Sequence, residues 1–92
     1  MRSRSITGYP DNMKLVLYTK AGCGWCVRVR NFLTEKKVPF EEREVLTNRV
    51  FFDELVAKSG QTKTPTLDLD GVILADTDTD AVEVFIRKQH IL

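Results

Sequence analysis

Cys23 and Cys26 are the two cysteines of this 92-residue chain, set in Ala21-Gly22-Cys23-Gly24-Trp25-Cys26. Three chemistries suit such a pair. A structural zinc needs about four Cys or His ligands. The chain offers two cysteines and one histidine, His90, far along the sequence. One copy does not complete such a site, so no metal is expected. An inert pair, two small apolar side chains one turn apart, is the second reading. The third is redox chemistry. Unpaired N–H groups and the dipole at a helix N-terminus amount to roughly half a positive charge. That charge stabilises a thiolate and lowers a thiol pKa from its free value of about 8.5. Cys23 stands at such a position as the exposed nucleophile. Cys26, one turn on, lies deeper and resolves the mixed disulfide.

The elements around the pair support the third reading. Residues 14–19, Lys-Leu-Val-Leu-Tyr-Thr, read as a short buried strand. The segment after Cys23 repeats apolar residues at helical spacing (Cys26, Val29, Phe32, Leu33) until Val38-Pro39, where the residue before proline leaves the α region. Residues 39–46 alternate weakly and read as a second strand. Thr47 and Asn48 can cap a helix that closes at Ser59-Gly60, with Val50, Phe51, Leu55 and Val56 as its apolar face. Asp70-Gly71 between two apolar runs is a type I′ hairpin signal, with Leu67 and Leu69 on one side of the strand and Asp68 on the other. A last helix carries Ala81, Val84, Phe85 and Ile86 behind capping aspartates. The order β-α-β-α-β-β-α implies an α/β fold: a parallel pair first, an antiparallel hairpin later, and a mixed four-stranded sheet with helices on both faces.

Two other stretches invite chemistry. Asp76-Thr-Asp-Thr-Asp80 resembles the start of a calcium loop, but that loop needs Gly at its sixth position and Glu at its twelfth. Here those are Ala81 and Arg87. Helix capping accounts for the aspartates. Phe51 and Phe52 point roughly 100° apart on a helix. They imply either a wide core face, the favoured reading, or one ring on a contact surface.

The bulk numbers exclude several function classes. A formal net charge of +1 gives no field that would draw nucleic acid or membrane. The longest apolar run, Leu15 to Tyr18, is too short for a span or a secretory signal. The expectation is a cytoplasmic monomer whose thiols are kept reduced, without a permanent structural disulfide. Residues 1–12 read as a flexible N-terminal extension and residues 13–92 as one domain.

A Cys-x-x-Cys beside a βαβ unit is a thioredoxin-like signal. Three segments narrow it: Tyr18-Thr-Lys-Ala-Gly-Cys-Gly-Trp-Cys26, Ser59-Gly-Gln-Thr-Lys-Thr-Pro65 and Leu67-Asp-Leu-Asp-Gly-Val-Ile-Leu-Ala-Asp-Thr-Asp78. Over about residues 14–90 the chain resembles the glutaredoxin family. The resemblance implies a thioredoxin-like fold with Pro65 in cis, and a dithiol exchange that reduces glutathione mixed disulfides or protein disulfides. It implies a glutathione groove as well. Lys20 faces a carboxylate. Trp25 forms a wall. Gln61 lies near the glycine end, Lys63 partly offsets the charge of Asp76, and Thr64 offers backbone groups. Thr77 and Asp78 hold the γ-glutamyl end. The family pattern is broken at Gly24, where proline is usual, and at Ala75-Asp76, where two glycines are usual. A side chain there, and an acid above all, hinders anionic glutathione. That leaves two alternatives: a thioredoxin-like donor reduced by a reductase protein, and a glutathione-dependent [2Fe–2S] carrier, in which Cys23 and glutathione would ligate a cluster held between two subunits.

Overall fold

A computed structural model describes residues 14–91. The extension expected at residues 1–12 lies outside the described residues, as do positions 13 and 92. Seven elements follow in order: β1 (Leu15–Thr19), α1 (Gly24–Glu35), β2 (Glu41–Glu44), α2 (Arg49–Ser59), β3 (Thr66–Leu69), β4 (Val72–Leu74) and α3 (Thr79–Lys88). The strands form one sheet in the order β2-β1-β3-β4. β1 and β2 run parallel, with Leu17 opposite Glu42, and the other two pairs are antiparallel. This is the thioredoxin-like arrangement expected from the sequence.

β1 is buried along its whole length, so its alternation sorts side chains to two covered faces. Leu15 and Leu17 meet Leu67, Leu69, Val29, Leu33, Val82 and Ile86 in the larger core, beneath α1 and α3. Val16 and Tyr18 meet Leu55 and Val45 in a smaller one, beneath α2. The acidic edge strand β2 (Glu-Glu-Arg-Glu) carries charges that discourage pairing with another sheet.

Sequence periodicity placed the helices well and their inner faces less well. In α2 the core side is Leu55 with Phe51 and Phe52, both rings half-buried, which gives the wider face. Val50 is 64% exposed and Val56 also faces water. In α3 the buried residues are Val82 and Ile86, whereas Val84 is 55% exposed. Val, Phe and Ala occur on both sides of these short helices, so apolar spacing alone fits more than one rotation.

The ends of α1 and α3 share a stop signal. Lys37 and His90 adopt positive φ, 59° and 61°. The next residue bonds back over the turn, Val38 N–H to Leu33 O and Ile91 N–H to Ile86 O, each at 2.9 Å. These are Schellman caps, and both apolar pairs lie in the larger core. The α1 helix therefore ends at its own cap ahead of Pro39. The hairpin is the two-residue type expected, with Asp70 at φ 49° and Gly71 at φ 93°.

Candidate active site

The loop from Lys20 to Cys23 delivers the first cysteine to the N-terminus of α1. Cys23 N–H donates to Lys20 O at 3.1 Å, closing a four-residue turn. Gly22 takes φ 84° at its third position, which a side chain would resist. Cys23 is the N-cap of α1, with extended backbone, and its Sγ accepts the Cys26 N–H at 3.1 Å. Its sulfur thus occupies the place of a capping oxygen, where the helix end favours negative charge.

Cys23 and Cys26 form a disulfide across a Cα–Cα distance of 5.2 Å. Their surroundings differ: Cys23 is partly exposed, and Cys26 is fully buried. Of the two sulfurs, that of Cys23 is the one open to solvent.

Thr64 faces the reactive sulfur from the other side. Its carbonyl oxygen lies 3.9 Å from Cys23 Sγ and its hydroxyl oxygen 3.7 Å. The Thr64-Pro65 peptide is cis, as the resemblance implied. Pro65 is buried, and its carbonyl accepts the Thr77 N–H at 2.9 Å. That bond ties the start of α3 to the Thr64 loop. Thr77 is itself buried. Asp78 is the N-cap of α3, its carboxylate accepting the Ala81 N–H at 2.9 Å.

The remaining candidates ring this centre. Lys20 contributes its carbonyl to the Cys23 turn and keeps a half-buried side chain. Trp25 is 46% exposed in the first turn of α1, and the Arg28 guanidinium lies over its ring at 4.8 Å. Gln61 folds onto its own loop: Oε1 accepts the Lys63 N–H at 2.7 Å and Nε2 donates to Ser59 Oγ at 2.8 Å. Lys63 is exposed, and neither its ammonium nor that of Lys20 is ion-paired among the described residues. Ala75 and Asp76 are exposed next to Thr77. Asp76 sits at φ 51°, a backbone region that Asp tolerates better than most residues, which explains why a glycine position can hold it. Among the described residues no group of three or more His, Cys, Asp or Glu gathers to hold a metal, and no helix is long and apolar enough to cross a membrane.

Three supporting residues escaped the sequence reading. Glu44 Oε2 accepts the Ala21 N–H at 2.8 Å. Glu42 accepts Thr19 Oγ1 at 2.9 Å and both Arg30 donors at 2.7 and 2.8 Å, and that guanidinium holds its carboxyl below the usual range. Thr66 Oγ1 donates to Lys63 O at 2.9 Å and accepts the Asp76 N–H at 3.2 Å, joining two loops of the site. A run of glutamates on an edge strand reads as solvated charge, and one threonine among several carries no signal.

With the geometry in hand, three comparisons bear on the chain. The glutaredoxin family model matches residues 15–74. An N-acetyl-S-hydroxy-L-cysteine reductase of Bacillus subtilis is 32% identical over 64% of this chain and 63% of its own, so the chain spans less than two thirds of that relative. Glutaredoxin 3 of Escherichia coli is 31% identical over 67% of this chain and 75% of its own. Among solved structures, a buckwheat glutaredoxin in complex with glutathione superposes with a TM-score of 0.65 over 86% of this chain and 73% of its own, at 21% identity. At that identity the likeness is one of fold.

Proposed function

The chain belongs to the glutaredoxin family, and from that premise we propose that it is a dithiol oxidoreductase reducing protein disulfides or glutathione mixed disulfides. One observation carries the reading: a partly exposed Cys23 caps α1 through its own sulfur, bonded to a fully buried Cys26.

In the reduced protein the Cys23 thiolate attacks one sulfur of a substrate disulfide. A new S–S bond forms and the first substrate thiolate leaves. Cys26 then loses its proton and attacks Cys23 Sγ. The second substrate thiol is released and the Cys23–Cys26 disulfide remains. Two electrons have passed to the substrate. Two glutathione thiols restore the dithiol and leave as glutathione disulfide. Thr64 lines the approach to Cys23, while Thr77 and Asp78 close the far end of the groove. Lys20 and Lys63 supply cations for carboxylates, and Trp25 with Arg28 forms a wall. Pro65, Gln61 and Thr66 hold the loop that carries Thr64. The buckwheat neighbour solved with glutathione supports this partner. A monomer in the cytoplasm, where thiols stay reduced, suits this role.

The exposed Ala75-Asp76 pair favours a second reading, a thioredoxin-like donor regenerated by a reductase protein. Its acid meets the anionic end of glutathione. The oxidised protein, offered glutathione or thioredoxin reductase with their electron sources, separates the two. Recovery of free thiols with glutathione, at a potential of roughly −200 to −230 mV, supports the first; recovery with the reductase alone, near roughly −270 mV, supports the second. A coloured dimer after anaerobic reconstitution with iron and sulfide would point instead to the cluster carrier.

A further inference from the structure

The loop that presents Cys23 has little packing to hold it. A Cβ added at Gly22 or Gly24 would meet no atom within 4 Å. Ala21 and Gly22 are exposed. The Cys23-to-Lys20 bond is internal to the turn, so it shapes the loop without anchoring it. Among the described residues, the bond that fastens residues 20–22 to another element runs from the Ala21 N–H to Glu44 Oε2 at 2.8 Å.

Glu44 is built for that task. The same Oε2 accepts the Leu46 N–H at 3.0 Å. Its Oε1 accepts the Thr47 N–H at 3.0 Å and the Thr47 hydroxyl at 2.7 Å. Four donors converge on one carboxylate, three of them from the loop leading into α2. Parallel pairing of β1 with β2 brings Thr19 opposite Glu44, so the strand ends and both loops emerge side by side. The Val45 N–H bonded to Thr19 O at 2.9 Å extends that pairing by one rung.

We propose that Glu44 is a positioning residue for thiol exchange: its carboxylate clamps the Ala21 amide and so keeps Cys23 Sγ at the N-cap of α1. This rests on the redox reading for its purpose, but not for its test. The bonds from Thr47, Ala21 and Leu46 hold the Glu44 carboxyl down to about 2, so the clamp stays ionised throughout the range in which thiols react. Its charged neighbour is Glu42 on the same strand, and its polar contacts come from Thr47, Ala21 and Leu46.

The clamp and a bare charge effect predict opposite signs. Glu44 is an anion near a sulfur that must ionise. If it acted through its field alone, Glu44→Ala or Glu44→Gln would lower the Cys23 pKa. If it positions the loop, losing it lets the sulfur drift from the helix N-terminus, and the pKa rises. In a Cys26→Ser background, thiolate absorbance against pH is expected to move up by a few tenths of a unit in both variants, and alkylation of Cys23 below that midpoint to slow about twofold. Glu83→Ala, on the exposed side of α3, is expected to leave both unchanged. A pKa that falls or stays fixed in the Glu44 variants overturns the proposal.

A measurement on the unaltered reduced protein covers the case in which those variants do not fold. The amide protons of Ala21, Leu46 and Thr47 should shift together, with one shared acid midpoint below the ordinary carboxylate range. An Ala21 amide that ignores this transition removes the clamp. Neither readout involves turnover, so failure of the disulfide reductase assay and failure of the clamp are separate results.

Discussion

On one face of the sheet α1 and α3 cover Leu15, Leu17, Leu67 and Leu69; on the other α2 covers Val16, Tyr18 and Asp68. The first interior is apolar up to Thr19, whose hydroxyl bonds Glu42 at its edge. The second is half a polar network. Tyr18, with no exposed surface, donates its hydroxyl to Glu54 at 3.0 Å and accepts from Lys58 at 3.2 Å. Lys58 also meets the buried Asp68 at 2.7 Å, and Asp68 accepts the Gly71 N–H at 2.7 Å. Arg43 bridges Glu54 and Glu41. Burial raises the Tyr18 hydroxyl pKa, and the bond to Asp68 raises that of Lys58. The helix that carries Cys26 enters the apolar side through Val29 and Leu33. The polar side instead fixes α2 against strands that end at the site. The larger core supplies cohesion, whereas the network supplies register, because each polar group there has specific partners.

The largest expected effect lies in the larger core. Leu17→Ala should cost about 4 kcal/mol, since its cavity is walled on all sides. Leu55→Ala should cost about 2.5 kcal/mol, because Phe51 and Phe52 at the rim of the smaller cluster can relax inward. Denaturant unfolding of both variants measures the gap, and equal costs would mean that the two faces are equivalent.

The network should respond asymmetrically. Lys58→Met leaves a nearly buried Asp68 carboxylate with the Gly71 amide alone among the described residues, at about 2 kcal/mol. Asp68→Asn keeps an acceptor for Gly71 and lets the half-exposed Lys58 turn to water, at about 1 kcal/mol. If Asp68→Asn proved the costlier change, the pairing described for this face would be wrong.

Acid should loosen β2 and its neighbours first. Glu41, bonded to Arg43 and Lys14, and Glu44, bonded to Thr47, Ala21 and Leu46, are both held down to about 2. Glu42 is lowered as well, chiefly by Arg30. Each is depressed on folding, so its contribution is present above the ordinary carboxylate range. It fades as pH falls from about 4.5 toward about 2. Melting temperature against pH should be flat above about 5 and fall below it, with β2 amides losing hydrogen-exchange protection before those of β3.

The smallest effects are gains. Lys37→Gly and His90→Gly relieve positive φ at two helix caps and should each add about 0.5 to 1 kcal/mol. Gly24→Pro should add a similar amount, since Cys23 at φ −88° and ψ 112° already has the conformation that precedes a proline and Gly24 is the first helical residue.

These residues also show where the sequence spoke and where it was silent. The cis Pro65 came from the family resemblance, whereas element order, the Asp70-Gly71 turn and the Cys23–Cys26 pair were legible because each depends on local chemistry or on a fixed spacing. The inward face of α3 was not, because Val82 and Val84 are the same residue type and only packing distinguishes them. Glu44 was invisible for another reason: its distant partner Ala21 reaches it through the parallel pairing of β1 with β2. The positions that the resemblance assigned to glutathione stay a proposal, since Gln61 and Asp78 spend their side chains on their own loops.

The most direct test of the central claim is a trapping experiment with the two single cysteine variants and a disulfide-bearing protein substrate. Cys26→Ser should accumulate a mixed disulfide through Cys23, visible by nonreducing electrophoresis and released by reductant, while Cys23→Ser should form none and reduce nothing. Equal trapping by both variants, or full activity without Cys23, would contradict the assignment of Cys23 as nucleophile and Cys26 as its resolving partner.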